Sequence, residues 1–229
     1  MAKVIAIDGP AGSGKSTVSR LLAARLGYLY LDTGAMYRAV ALQAKRKNIV
    51  LKDTEKISKL CMDLDLHFRT LDRATRLFLG AEDISDAIRS PEMDMLSSII
   101  SAIKEVRDAM TLLQRKMAEQ RGVVAEGRDM GTVVFPDAEC KFFIDAEPEV
   151  RAGRRYRERL ARGEKVSRQE VEKELRKRDD QDRTRALAPL VPAEDAVLLD
   201  TTNLTVEELV EIMVRTIQGG DKKSLKGIG

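Results

Sequence analysis

The stretch Val4-Ile5-Ala6-Ile7-Asp8-Gly9-Pro10-Ala11-Gly12-Ser13-Gly14-Lys15-Ser16-Thr17 decides the fold. Val4 to Ile7 is a short apolar run of the kind that forms a buried parallel strand. Gly9 to Thr17 reads GxxxxGK[ST], and Ser16 to Leu26 carries apolar residues at three- and four-residue steps. Glycines let consecutive backbone amides turn toward an anion, while the helix start aims free N–H groups and its positive dipole end at the same point. Lys15 suits a bridge between β- and γ-phosphates, and the Ser16 hydroxyl suits a Mg²⁺ ligand held through the nucleotide. The whole of Gly9, Pro10, Ala11, Gly12, Ser13, Gly14, Lys15, Ser16 and Thr17 is therefore expected to bind ATP, with Lys15 catalytic.

Outward from this loop, further strand-like runs lie at Tyr28 to Leu31, Val123 to Ala125, Lys141 to Ile144 and Val197 to Leu199. Helical periodicity fills the gaps at Ala35 to Arg46, Pro91 to Gln120, Glu149 to Arg162, Ser167 to Arg185 and Val206 to Ile217. Such alternation predicts an α/β fold: a three-layer sandwich with a five-stranded parallel sheet and helices on both faces. Ser167 with Glu170 and Thr205 with Glu208 predict capping boxes, and Pro91 a first helical turn. The stripe Ile99, Ile103, Val106, Met110, Leu113 and Met117 reads as one long core-facing helix. Between Leu64 and Ile84 the period changes to short alternating runs separated by polar residues and Gly80, which predicts an inserted set of antiparallel strands.

Composition bounds the rest. The chain has 229 residues, with 40 Lys and Arg against 37 Asp and Glu, so its net charge of +3 is no argument for a nucleic-acid partner. Cys61 and Cys140 are far apart and form no metal-binding or disulfide spacing, which suits a reducing cytoplasm. No apolar run is long enough for a membrane span, and Met1 leads directly into a strand-like segment, so neither membrane association nor secretion is expected. His67, the only histidine, falls in an alternating run and reads as a polar strand position.

Ligands of open α/β sheets gather at the carboxyl ends of the strands. The second strand ends in Asp32-Thr33-Gly34-Ala35-Met36-Tyr37-Arg38 and the third in Glu126-Gly127-Arg128-Asp129-Met130-Gly131. Two arginines, aspartates and a tyrosine beside a phosphate loop are suited to an anionic organic acceptor. No DxxG or NKxD occurs, which removes a switch GTPase, and the third strand lacks the paired acids of a motor ATPase. A kinase of a small hydroxylated metabolite and a non-catalytic nucleotide-binding regulator remain as alternatives.

Four ordered segments resemble the bacterial cytidylate kinases: the IDGPxGxGK loop, LDTGAMYR at Leu31 to Arg38, GRDMGTVVFPDA at Gly127 to Ala138, and RDxxDxxRxxAPL at Arg178 to Leu190. The resemblance covers nearly the whole chain. It implies transfer of the γ-phosphoryl of Mg·ATP to CMP or dCMP by a cytoplasmic monomer. Thr33, Tyr37 and Arg38 would then line the CMP site, while Ser98, Arg107 and Asp129 would read the cytosine edge. Arg38, Arg128 and Arg185 would clamp the CMP phosphate, and Arg178 and Asp182 would face the ribose, with Arg128 and Arg185 joining Lys15 as catalytic residues. The organisation implied is a single kinase domain with a core of about 1–60, 104–150 and 186–218. A monophosphate-binding insert would span about 61–103, a helical lid about 151–185 and a flexible tail 219–229. Which arginines among Arg151, Arg154, Arg155, Arg157, Arg159 and Arg162 reach the transferred phosphate stays open. Glu126 departs from the aspartate common in the family.

Overall fold

A computed structural model of the chain describes residues 3–71, 74–119 and 121–219; the tail expected to fray lies outside these apart from Gly219. The strands and helices follow the chain as β1 (Val4–Asp8), α1 (Lys15–Leu26), β2 (Leu29–Asp32), α2 (Thr33–Arg46), α3 (Thr54–Met62), β3 (Leu66–Leu71), β4 (Ala74–Leu79) and β5 (Glu82–Asp83). There follow α4 (Pro91–Ile100), α5 (Lys104–Ala118), β6 (Val123–Gly127), a π-helical turn (Met130–Val134), β7 (Cys140–Asp145), α6 (Pro148–Ala161), α7 (Arg168–Thr184), β8 (Val197–Asp200) and α8 (Val206–Ile217). A five-stranded parallel sheet of order β2-β6-β1-β7-β8, flanked by helices, and a separate antiparallel sheet β3-β4-β5 agree with the predicted architecture.

The described residues fold as two compact units, one within 1–30 and 121–229 and one within 31–120. In the first, β1 pairs with β6 and β7 in parallel, with Asp8 level with Gly127 and with Phe143. Ile5, Ile7, Val124, Phe142 and Ile144 form a core with Val18 and Leu22 of α1 and Leu209, Val210 and Met213 of α8. Complete removal of such side chains from water stabilises by about 1.5–3 kcal/mol each, which fixes the sheet register and so the strand ends. The predicted capping boxes start α7 and α8, with Ser167 and Thr205 each accepting an amide of the third helical residue.

In the second unit, α2 packs on α4 and α3 on α5, burying Met36, Val40, Ile57, Ile100, Val106 and Met110. The long helix predicted from Pro91 to Gln120 is two helices here; Gln120 itself lies outside the described residues. Ile103 is extended (φ −83°, ψ 122°), and Ile99 points outward. Ser97 and Ser101 turn their hydroxyls back onto the carbonyls of Asp94 and Ser98, while Arg107 donates to the Ser101 carbonyl at 3.2 Å. These bonds compete with the helical ladder and satisfy a carbonyl at the end of α4, so the helix stops inside a correctly spaced apolar stripe. Helix α3 was not anticipated, although Asp53 caps it and Ile57, Leu60 and Cys61 form its buried face.

Candidate active site

Gly9 to Gly14 connects β1 to α1 in the first unit. A Cβ on Gly9, at φ 148°, would lie 2.0 Å from the Ile144 carbonyl oxygen, so only glycine lets the loop leave the sheet there. Gly14 caps α1 in a left-handed conformation with no side-chain acceptor for the first amides of the helix. Those amides and the helix dipole make an anion seat. The Lys15 ammonium folds back on the loop, donating to the Pro10 carbonyl and to Ser13 Oγ, while Ser16 and Thr17 are exposed in the first turn. Burial, and next the charge of Arg128, hold the Lys15 pKa well below its ordinary 10.5. A polyphosphate anion at this position would offset both effects and favour the ammonium.

Strand β6 carries Arg128 and Asp129 past the carboxyl end of the same sheet. Arg128 donates from Nε to Asp182 Oδ2 at 2.7 Å and from Nη1 to the Gly127 carbonyl at 3.2 Å. Arg185 lies 3.7 Å from Asp129 and 3.9 Å from Asp182, and its Nε donates to the Ala188 carbonyl at 2.6 Å. Ala188 has φ 50°, a conformation that costs a non-glycine residue about 1–2 kcal/mol and here aims its carbonyl at Arg185. Burial alone would raise the Asp182 pKa, but Arg128, Arg178 and Arg185 outweigh it and hold the carboxyl below 3.8. The structure thus brings the sequence-predicted Arg128, Asp129, Asp182 and Arg185 into one ion network. Arg178, predicted beside them, acts electrostatically on Asp182 and on Lys15.

Two members of α6 touch the phosphate loop. Arg151 is 4% exposed; it donates to the Ala11 carbonyl at 3.1 Å, to Asp179 at 2.6 Å and to the Ala146 carbonyl at 3.0 Å. Arg154 donates to the Ser13 carbonyl at 3.4 Å and to the hydroxyl and carbonyl of Thr201. The others turn elsewhere: Arg155 and Arg162 pair with Glu158, Arg157 bonds the Gly153 carbonyl, and Arg159 joins Glu164 and Glu174. Glu126 is 5% exposed and accepts the Tyr30 hydroxyl at 2.7 Å.

The second unit holds the remaining predicted residues. Asp32 caps α2 through the Ala35 amide at 2.8 Å and accepts from Arg89 at 3.0 Å. Burial opposes ionisation of Asp32, yet Arg89 and Arg38 hold its pKa below 3.8. Arg38 donates from Nε to Asp94 at 2.8 Å, an orientation that fixes the plane of its fork. Tyr37 is buried with the Arg107 guanidinium 5.8 Å from its ring centre, Thr33 is buried, and Ser98 is half-buried on α4. Sequence reasoning missed Arg89, a single cation in an irregular segment with no motif around it, and Asp8, which reads as the last residue of a strand.

A profile of the family described as "Cytidylate kinase" matches residues 5–219. The chain is 50% identical over 215 residues to "Cytidylate kinase" of Geobacter sp. (strain M21), covering 94% of this chain and 92% of that one. It is 48% identical to "Cytidylate kinase" of Pelotomaculum thermopropionicum, covering 96% and 97%. A solved structure of an uncharacterized protein from Eubacterium ventriosum superposes with a TM-score of 0.54 at 13% identity, covering 94% of this chain and 98% of that chain, a likeness of fold alone.

Proposed function

The chain belongs to the cytidylate kinase family, and on that premise we propose how its residues carry the γ-phosphoryl of ATP to CMP or dCMP, giving ADP and CDP or dCDP. The observation that carries the reading is the ion network of Arg128, Asp129, Asp182 and Arg185, built in the same unit as the phosphate loop. A carboxylate that grips one edge of a guanidinium fixes the plane in which its other N–H groups point, which is what recognition of a phosphate requires.

In this reading the loop amides and Lys15 hold the donor phosphates, with Lys15 stabilising charge that grows on them during transfer. Arg38, Arg128 and Arg185 bind the acceptor phosphate, and Arg178 and Asp182 face the ribose. The acceptor phosphate is already ionised, so no general base is needed. Asp129 accepts the cytosine amine, and Arg107 and Ser98 serve the N3 and O2 edge. Uracil would set a carbonyl against Asp129, leaving a buried charge unmatched. Thr33 and Tyr37 line the same substrate.

Magnesium belongs with the donor. Ser16, exposed in the first turn of α1, would hold the ion by its hydroxyl together with nucleotide oxygens and water. Bound there, it would supply positive charge to the phosphates. No described helix is long and apolar enough to cross a membrane. A cytoplasmic monomer without a nucleic-acid partner, with the insert, lid and tail boundaries given above, completes the proposal. Its test is ADP release from Mg·ATP with CMP, dCMP, UMP, AMP, GMP or shikimate as acceptor. Selective turnover of CMP and dCMP is expected; equal use of CMP and UMP removes the base-reading roles, and turnover of shikimate alone removes the substrate.

A further inference from the structure

Asp8 takes no part in the chemistry above, yet it is 4% exposed and bonded twice to the segment that carries Asp129. Its Oδ1 accepts the Met130 amide at 2.8 Å and its Oδ2 accepts the Gly131 amide at 2.8 Å. Those amides open the π-helical turn Met130–Val134, and Asp129, which precedes that turn, makes no side-chain capping bond. The cap is supplied instead by a residue of β1 that directly precedes Gly9 of the phosphate loop. Because both acceptors belong to one buried carboxylate, the backbone at Asp129 cannot rotate without breaking two charge-assisted bonds together.

We infer that Asp8 is a positioning residue for base recognition, holding the Asp129 carboxylate where it meets the cytosine amine. The inference rests on the reading of Asp129 as the cytosine-facing group. Burial, countered by the two amides, pushes the Asp8 pKa up to about 6; of the charged groups facing it, Asp129 raises it further and Lys15 lowers it. The grip therefore weakens in mild acid.

The test is the ratio of kcat/KM for CMP to that for UMP, measured on the full chain between about pH 5 and about pH 8. Both acceptors carry the same phosphate and use the same donor site, so titration of the phosphate, changes in ATP binding and any unfolded fraction cancel in the ratio. Asp8→Asn replaces one acceptor atom by an amine facing an N–H group, and the ratio is expected to fall about tenfold and to become flat with pH. In the unaltered protein it should decline as pH drops through about 6. An Asp129→Ala ratio equal to that of the unaltered protein removes the premise. A ratio lost in Asp129→Ala but kept in Asp8→Asn, or an acid limb that persists in Asp8→Asn, overturns the role of Asp8 alone. Amide exchange at Met130 and Gly131, compared at one pH of about 8, gives a check independent of turnover: protection should be lower in Asp8→Asn than in the unaltered protein, and equal protection overturns the inference.

Discussion

Lys15→Met should make the protein more stable and nearly inactive. The Lys15 side chain is 6% exposed, and burial, then Arg128, disfavour its charge, with Glu126 and Asp182 offsetting part of the effect. Removing a charge that burial and Arg128 disfavour relieves that cost, on the order of the 1–4 kcal/mol gained when buried ion pairs are replaced by apolar side chains. The Pro10 carbonyl loses its ammonium donor, which takes back about 1 kcal/mol. A net gain of about 0–3 kcal/mol remains, and in a chain of this size that raises Tm by at most about 12 °C.

Loss of the ammonium that the proposed function assigns to the transferred charge should lower kcat by about 10²–10³. Thermal melts without nucleotide, paired with ADP release under Mg·ATP and CMP, read both quantities. Saturating nucleotide at about a hundred times Kd should stabilise the unaltered protein by about 2.7 kcal/mol, and the variant by much less. The pH dependence carries a sign as well. A lysine whose folded pKa lies below 10.5 binds fewer protons than the unfolded chain between the two values, so stability rises with pH across that window. Lys15→Met should lack this rise. A variant that melts several degrees below the unaltered protein and keeps its activity within about tenfold would refute the account of the loop.

Asp182→Ala leaves Arg128 without its 2.7 Å partner and should destabilise by about 3–5 kcal/mol, read as a shift of the denaturant midpoint, while raising KM for CMP more than for ATP. The folded pKa of Asp182 lies below 3.8, so its contribution is complete above that value and is lost as pH falls through the lowered one. Asp8 runs the other way. With a folded pKa of about 6 against 3.8, its contribution grows by about 3 kcal/mol as pH falls between those values, and Asp8→Asn should flatten that part of the stability profile.

Strands β1, β2 and β6 were legible because they are buried on both sides and so appear as unbroken apolar runs such as Val4 to Ile7 or Val123 to Ala125. The phosphate loop was legible because glycine identity and spacing are dictated by backbone geometry, as at Gly9. The break between α4 and α5 was not. Ile99, Ile103 and Val106 keep helical spacing across it, and the decision falls to serine hydroxyls and to Arg107, whose bonds no periodicity reports. Nine-residue α3 is short for a periodic signal, although its cap and buried face obey the ordinary rules. In the candidate site, motif residues such as Arg128, Asp129, Asp182 and Arg185 were readable, while Asp8 was hidden by its position at the end of a strand and Arg89 by an irregular segment.

The carboxylates of the first unit have a second use beyond orientation. Arg128 and Arg178 both disfavour the charge on Lys15, and a cluster of bare cations at one sheet end would destabilise the fold. Asp182 and Glu126 offset that repulsion: both raise the Lys15 pKa, and Asp182 and Glu126 both favour the charge on Arg128. On the proposed reading, a phosphate entering the network would compete with Asp182 for the same guanidinium donors and repel the carboxylate that holds them. Binding would then exchange one set of charge-assisted bonds for another instead of creating a new set from solvated groups. Affinity for the phosphate would be reduced by the cost of displacing the internal anion, but the arginines are already desolvated and aligned, so less ordering would remain for the transfer step itself. Arg151 is held by more groups than Arg128: the Ala146 and Ala11 carbonyls, Asp179 at 2.6 Å and Asp145 at 3.4 Å. Two carbonyls and two carboxylates make Arg151 a strut between α6, α7 and the loop, so exchanging its partners would cost more than exchanging Asp182 on Arg128.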